Sequence, residues 1–403
     1  MINKKDKKMK IAIVTCYNEG EANSAYSRVL NEEFIRQGHE VKILRLPFSI
    51  FGNTSREMIE LGNKTIENFV KQIPEFDYVS IHYESALYGR NPKVVLNRVS
   101  KIINACKDNC FSITVHNCNF PNDKTRGLLR KIKNKIFKLK ITWQSQFLEI
   151  LKAVKNNDGL VIVHDANNFN KISCLVPDIK IVMHPLSYKR KEDIESIKKQ
   201  FNKEKYIREQ GIDKINYKYA IGLIGTFAYH KDYLMVIRAL EYLPKYYHLF
   251  IYGGQHSLTY TLEPTGFSQT VHMQNLINEL QLSDRVHFMG FQNTDDDIIN
   301  AQLFCDYVVM PHIENGESAS AGLGIALELN DLIFATRNNM FDNIKIFTGE
   351  AFWQYDMGNY MELAEKILRL PNKDRILKNK ENYLNKYNIT ENAKLYLSIL
   401  NNK

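Results

Sequence analysis

At 403 residues, with 44% apolar and 25% charged residues, the chain has the make-up of an ordinary soluble globular protein and the length for about two domains with full cores. No apolar run approaches the roughly 20 residues that span a bilayer, and the basic opening Met1–Lys10 lacks the apolar stretch and cleavage site of a secretory leader, so a cytoplasmic protein is expected. A net charge of +9 points to an acidic partner (nucleic acid, anionic lipid or a phosphorylated substrate), while six cysteines without a CxxC pair give neither a zinc motif nor a disulfide framework.

In chain order, the first half alternates strand and helix. Ile11–Thr15 reads as a strand, Ser24–Gln37 as a helix closed by Gly38, and Val41–Leu44 as the next strand. Helix Ile59–Ile73, strand Tyr78–Ile81 and helix Pro92–Cys106, with proline in its first turn, follow. Phe111–Val115, Leu160–Val163 and Ile179–Met183 are predicted strands. The charged, mixed-sign run Tyr188–Asp213 reads as a boundary, after which the alternation restarts.

The second half gives strand Ala220–Gly225, helix Asp232–Tyr242, strand His248–Tyr252, helix Thr270–Leu280 and strand Arg285–Met289. Helix Asp295–Gln302, strand Tyr307–Met310, helix Gly324–Leu329 and strand Leu332–Ala335 come next, then helices Met361–Leu370 and Lys373–Leu400. The expectation is an α/β protein of two Rossmann-like, doubly wound domains facing a central cleft. The first spans 1–187 and is joined by a C-terminal helix from about 375 to 403; the second spans 188–374.

The chain between Tyr307 and Asn330 carries the most chemistry. A buried strand ends at Met310, a loop of small and polar residues follows (Glu317, Ser318, Ala319, Ser320, Ala321, Gly322), and a helix carrying Glu328 begins. Unpaired N–H groups at a helix mouth, with small side chains around them, receive anions; an ordinary strand-to-helix turn has the same pattern.

The order of landmarks resembles the GT-B glycosyltransferases, and within them the large retaining family of bacterial mannosyl- and glucosyltransferases that use nucleotide sugars. The resemblance covers nearly the whole chain: the opening Lys10–Val41 with its Gly-His-x-Val ending, Ile221–Pro244 with a Gly-x-x-x-x-x-Lys segment, Ile251–Gly254, Asp284–Phe291, and Ser318–Glu328 where that family carries Glu-x7-Glu. It implies that Lys231 grips the donor pyrophosphate, that Glu328 binds the ribose hydroxyls, and that His116 faces the donor sugar. Gly20 would lie in a turn where donor and acceptor approach. The acceptor is expected near Tyr17–Ser24 and His116, with Tyr17, Asn18 and Glu19 on that side and His164 joining them from its own place at the end of strand Leu160–Val163.

Two positions depart from the pattern. The arginine five residues before the lysine is Thr226, and the first glutamate falls on Ser320, with Glu317 three residues earlier. A branch of bacterial sugar transferases carries Ser-Ala-Ser or Ser-Gly-Ser in this loop.

Read residue by residue, Lys231 is either a phosphate ligand or a solvated first-turn lysine opposed by the helix dipole. Glu328 is either a ligand group or a carboxylate on an exposed helix face. His116 is either a sugar contact or a backbone-bonded structural histidine, and His164 has the same placement. Thr294-Asp295-Asp296-Asp297 contains an Asp-x-Asp but reads as a helix cap, so no metal and no resident cofactor are expected, the nucleotide-diphosphate sugar being substrate. The run Lys124–Lys140 sets an apolar stripe beside a cationic face, the pattern of a helix lying on anionic lipid, and a basic outer face on a core helix gives the same pattern. No nucleic-acid motif is present.

The function expected is transfer of a sugar from a nucleotide-diphosphate sugar to a glycan or lipid-linked acceptor, with retention, in bacterial surface polysaccharide or glycoconjugate synthesis. A non-catalytic relative that binds nucleotide or glycan, and a nucleotide-sugar epimerase, are the alternatives.

Overall fold

The computed structural model describes residues 8–17, 22–118, 141–228, 230–254, 265–292, 294–314 and 319–402. Asn18, Glu19, Gly20, Glu317, Ser318 and the run Lys124–Lys140 therefore lie outside the described residues. The chain divides into two units, residues 1–186 with 389–403, and residues 187–388.

In the first unit six parallel strands form one sheet in the order β2-β1-β3-β4-β5-β6: β1 (Lys10–Thr15), β2 (Glu40–Arg45), β3 (Tyr78–Tyr83), β4 (Cys110–Val115), β5 (Leu160–Val163) and β6 (Ile181–Met183). The three strands β3, β4 and β5 are buried along their whole length, as expected where helices cover both faces of a parallel sheet. Side-chain and glycine caps bound the helices, and the one expected from Ile59 starts at Arg56 because Ser55 caps it. Ser55 accepts the Met58 N–H to start helix Arg56–Gln72, Asn91 starts Pro92–Ala105 with Pro92 in its first turn, and Gly38, at φ 89°, ends helix Ala22–Arg36. Helices Trp143–Asn156 and Ala166–Leu175 are not among the expected elements.

A buried arginine ties this unit's helices together. Arg98, 1% exposed, donates to the carbonyls of Tyr88 and Ile59, both at 2.7 Å, and to Asn63 Oδ1 at 2.9 Å, with Phe51 under its guanidinium. A Cβ on Gly62 would lie 2.5 Å from the guanidinium, so the glycine makes room for it. Arg98→Met strands those acceptors in the interior and is expected to cost about 3 kcal/mol, read as a lower urea midpoint at unchanged slope.

The second unit repeats the plan with six parallel strands in the order β12-β11-β10-β7-β8-β9. These are β7 (Tyr219–Ile224), β8 (Tyr247–Tyr252), β9 (Val286–Gly290), β10 (Tyr307–Met310), β11 (Ile333–Thr336) and β12 (Trp353–Tyr355). The charged run after Tyr188 folds as helices Lys191–Gln200 and Lys203–Glu209 of this unit. Of the C-terminal helices, Lys373–Lys386 belongs to the second unit and only the chain from Ile389 joins the first, so the return begins later than residue 375. There Tyr396 bonds Tyr26 and Thr114, and Asn392 bonds Tyr26. The two doubly wound parallel units are the α/β architecture expected. Among the described residues no helix is long and apolar enough to cross a membrane.

Candidate functional site

Strand order locates the crevice in the second unit. After β9 the chain crosses to β10 on the other side of β7, so the connections leaving β7 and β10 diverge and open a gap at the carboxyl ends of the strands. The loop after β7 delivers Lys231 to that gap. Gly225 turns the chain at φ 132°, and a Cβ there would lie 2.9 Å from Lys231 Nζ. The lysine donates to the Thr226 carbonyl at 3.0 Å, and its backbone forms an antiparallel bridge with His312. Gln269 donates to its carbonyl at 3.1 Å, and Asp232 N–H donates to Pro311 O at 2.7 Å.

Asp232 is the cap of helix Tyr233–Glu241, accepting the Met235 N–H at 3.1 Å. Lys231 thus stands ahead of the helix, half-buried and pinned, which overturns the reading of a solvated first-turn lysine.

The connection after β10 supplies the other wall. Ser320 caps helix Ala321–Leu329, its Oγ accepting the Leu323 N–H at 3.2 Å. The helix starts three residues earlier than its apolar spacing suggests, because that hydroxyl takes over the first-turn bonding. The position that resembles a family glutamate is occupied by a capping serine. Ala319, Ser320, Ala321 and Gly322 are half-buried, and Gly322 shares one small pocket with Lys231, Tyr233, Met310 and His312. The N–H groups of Ala321 and Gly322 meet no acceptor among the described residues. Lys231 and the first turn of this helix thus border one pocket, an arrangement that suits an anion.

Glu328, six residues further along the same helix and so about 9 Å down its axis, is 2% exposed. Its Oε1 accepts the N–H groups of Tyr188 at 2.6 Å and Lys189 at 3.1 Å, while Oε2 is buried with no partner among the described residues. Burial raises its pKa to about 7, against the pull of those two N–H groups and the Lys189 charge. The exposed-face explanation fails.

In the first unit the histidines converge. His82 near the end of β3, His116 after β4, His164 after β5 and His184 after β6 occupy the carboxyl ends of four neighbouring strands. His82 Nδ1 lies 3.2 Å from His116 Nε2 and 3.2 Å from Ser27 Oγ, the His116 and His164 rings are 5.3 Å apart, and His164 Nδ1 faces the His184 carbonyl at 2.9 Å. Burial pushes His82 down to about 3 and both His164 and His184 to about 4; His116 is also lowered well below the usual range, so all four are neutral at pH 7. Tyr17 is half-buried, its hydroxyl accepting from Asn31 at 3.2 Å. The sequence points to His116 and His164 but gives no comparable pointer to His82, although its placement in IHY at the end of its strand repeats that of His116 in ITVH.

The acidic triplet after Thr294 forms a capping box: Thr294 Oγ1 accepts the Asp297 N–H at 3.1 Å and the Asp297 carboxylate takes the Thr294 N–H at 3.0 Å. Among the described residues no group of three His, Cys, Asp or Glu is arranged for a metal ion.

Two doubly wound parallel units in one chain, with a pocket at the switch point of the second, have the architecture of the GT-B class of fold. Comparison with known proteins narrows this: residues 202–388, nearly all of the second unit, match the family model described as Glycosyl transferases group 1. The fold of the whole chain is shared with the Anabaena protein HepE solved in complex with UDP, at 13% identity and a TM-score of 0.66 over 98% of this chain and 100% of that one. A glycosyltransferase from Rickettsia africae is similar at 17% identity and TM-score 0.65, again over 98% and 100% of the two chains. A UDP-forming alpha,alpha-trehalose-phosphate synthase from Burkholderia vietnamiensis matches at 8% identity and TM-score 0.65 over the same shares. At these identities the likeness is one of fold. No curated protein sequence matches.

Proposed function

We propose that the chain transfers a sugar from a nucleoside-diphosphate sugar to a glycan or lipid-linked acceptor, with retention and without a metal, in bacterial surface polysaccharide or glycoconjugate synthesis. The observation that carries this reading is the second unit's helix Ala321–Leu329, which offers open amides beside Lys231 at one end and a buried, half-paired carboxylate at the other. The diphosphate suits the first of these and the ribose hydroxyls the second. HepE, solved with UDP and with UDP-glucose, makes uracil the first base to try.

In the transfer, the bond from the sugar's anomeric carbon to the diphosphate oxygen breaks and a bond to the acceptor oxygen forms. The acceptor proton leaves on the departing phosphate. Lys231 and the helix amides stabilise the charge that grows on that phosphate, and His116 faces the donor sugar. Tyr17, Asn18, Glu19 and His164 serve the acceptor, while Lys124–Lys140 meets an anionic inner-membrane surface from the cytoplasm.

A thermal-shift screen of UDP, GDP, ADP and their sugars tests the reading, since a ligand bound only by the native state raises the melting point. One nucleotide series is expected to stabilise the chain, and Lys231→Ala to weaken its diphosphate about 10-fold, as loss of one charge-assisted contact implies. No shift with any nucleotide would sink the proposal. Binding without turnover over a fair acceptor panel would favour a non-catalytic nucleotide-binding protein, a reading to which the capping role of Ser320 lends support.

A further inference from the structure

We propose that His312 is a second phosphate-contacting residue of this site, offering ring Nδ1 to the diphosphate beside Lys231. The inference rests on the nucleotide-sugar reading and adds to it a defined contact for a residue that the sequence places just before the loop, where it can line the cleft.

His312 follows β10 and is 7% exposed. Its backbone leaves the ring little freedom. Its carbonyl accepts from Thr336 Oγ1 and from Asn338 Nδ2, the latter at 3.0 Å, and its strand bridges Lys231. The ring packs edge-on against Phe341, centroids 5.3 Å apart, and lies tilted 5.9 Å from the His230 ring.

Within this packing Nδ1 is buried and has no partner among the described residues. A buried ring nitrogen without a partner costs about 1–3 kcal/mol, and His312 lines the same pocket as Lys231 and Gly322.

The surroundings select the ligand. Burial, helped by Lys231 and His230 beside the ring, holds the imidazole in its neutral form against the pull of the Met310 carbonyl. Glu314, exposed, is engaged by the Asn339 N–H at 2.9 Å. A group entering between an ammonium, helix amides and a ring nitrogen is therefore one rich in acceptor oxygens, and a phosphate oxygen satisfies Nδ1 without bringing another cation.

Two variants separate a ligand contact from a packing role. In His312→Asn the amide nitrogen stands near the place of Nδ1, whereas His312→Phe keeps the ring's bulk and removes the polar atom. The ligands are the nucleoside diphosphate that stabilises the wild-type chain, its parent nucleoside, and inorganic pyrophosphate, titrated by calorimetry. The expected result is a loss of about 10-fold in affinity for the diphosphate and for pyrophosphate in His312→Phe. The nucleoside should be unaffected, the unliganded melting point undiminished, and His312→Asn restored to within about 3-fold of the wild type. Wild-type diphosphate affinity in His312→Phe, with Lys231→Ala still impaired, overturns the role of His312 and leaves the site reading standing. A parallel loss of nucleoside and diphosphate affinity assigns His312 to packing and also overturns it. If the wild-type chain binds none of the nucleoside diphosphates, the site reading itself fails.

Discussion

Glu328→Gln is expected to stabilise the second unit while weakening its hold on nucleotide by about 30-fold. The carboxyl is fully buried, and only one of its oxygens is paired. Its pKa rises from 4.5 in the unfolded chain to about 7 in the folded one. A raised carboxylate contributes its full stability below pH 4.5, and loses it as pH climbs through 7, because the unfolded chain ionises first. Above pH 7 the lost stability is about 3 kcal/mol. Glutamine keeps an acceptor for the Tyr188 and Lys189 N–H groups and has no charge to desolvate. The variant should therefore melt higher than the wild type at pH 8 and match it near pH 4.5.

On the proposed role of Glu328 nucleotide binding moves the other way: two ribose hydroxyls lose an ionised acceptor, worth about 2 kcal/mol or 30-fold. Urea unfolding at pH 8 and at pH 4.5, with nucleotide titration at pH 8, checks both halves. A variant that is less stable at pH 8 and binds nucleotide normally would make Glu328 a structural acid.

The first unit is expected to lose stability steeply between pH 6.5 and about 4. In the unfolded chain its histidines take up protons near 6.5, whereas in the fold His82, His164 and His184 do so only at about 3 to 4. A depressed histidine leaves stability intact above 6.5 and withdraws it as pH falls toward the folded value. Each pH unit separating the folded from the unfolded value is worth about 1.4 kcal/mol, so the three together withdraw more than about 5 kcal/mol, a large part of a domain's whole stability. Asp165, raised to about 6 by burial, opposes this with a single proton. His164→Gln removes one of the late protons, so the slope of unfolding free energy against pH between 6 and 5 should fall by about 1.4 kcal/mol per pH unit. Trp143, in the first unit, reports the transition when Trp353 is replaced by phenylalanine. An unchanged slope in His164→Gln would show that this ring titrates normally in the fold.

Lys231 is legible in the sequence because a lysine close to the end of an apolar strand and just before a helix is a local pattern, and the structure keeps it at that spot. The pocket around it is legible only in part. Met310 and Gly322 are near in sequence, but the neighbouring strand β7 and the bridge from Lys231 to His312 depend on where the crossover from β9 lands. Glu328 is equivocal in the sequence for the same reason. Its partners, the N–H groups of Tyr188 and Lys189, come from a segment about 140 residues earlier, and nothing in the helix's own spacing announces them. Ser320 shows the reverse: Ser at a cap is a local signal, and the comparison with a glutamate pattern obscures it.

What the sequence by itself determined is the alternation that makes two parallel sheets, the change of unit near Ser187, and the caps at Gly38 and Thr294, all of which depend on residues within a few positions of one another. Only the tertiary structure decided which strands became neighbours. That ordering gathers histidines from positions 82, 116, 164 and 184 at one end of the first sheet and closes a carboxylate against a distant turn. Parallel pairing is long-range, made across crossovers of a dozen residues or more, and hydrophobic periodicity records which face of a strand is buried but not which strand lies beside it.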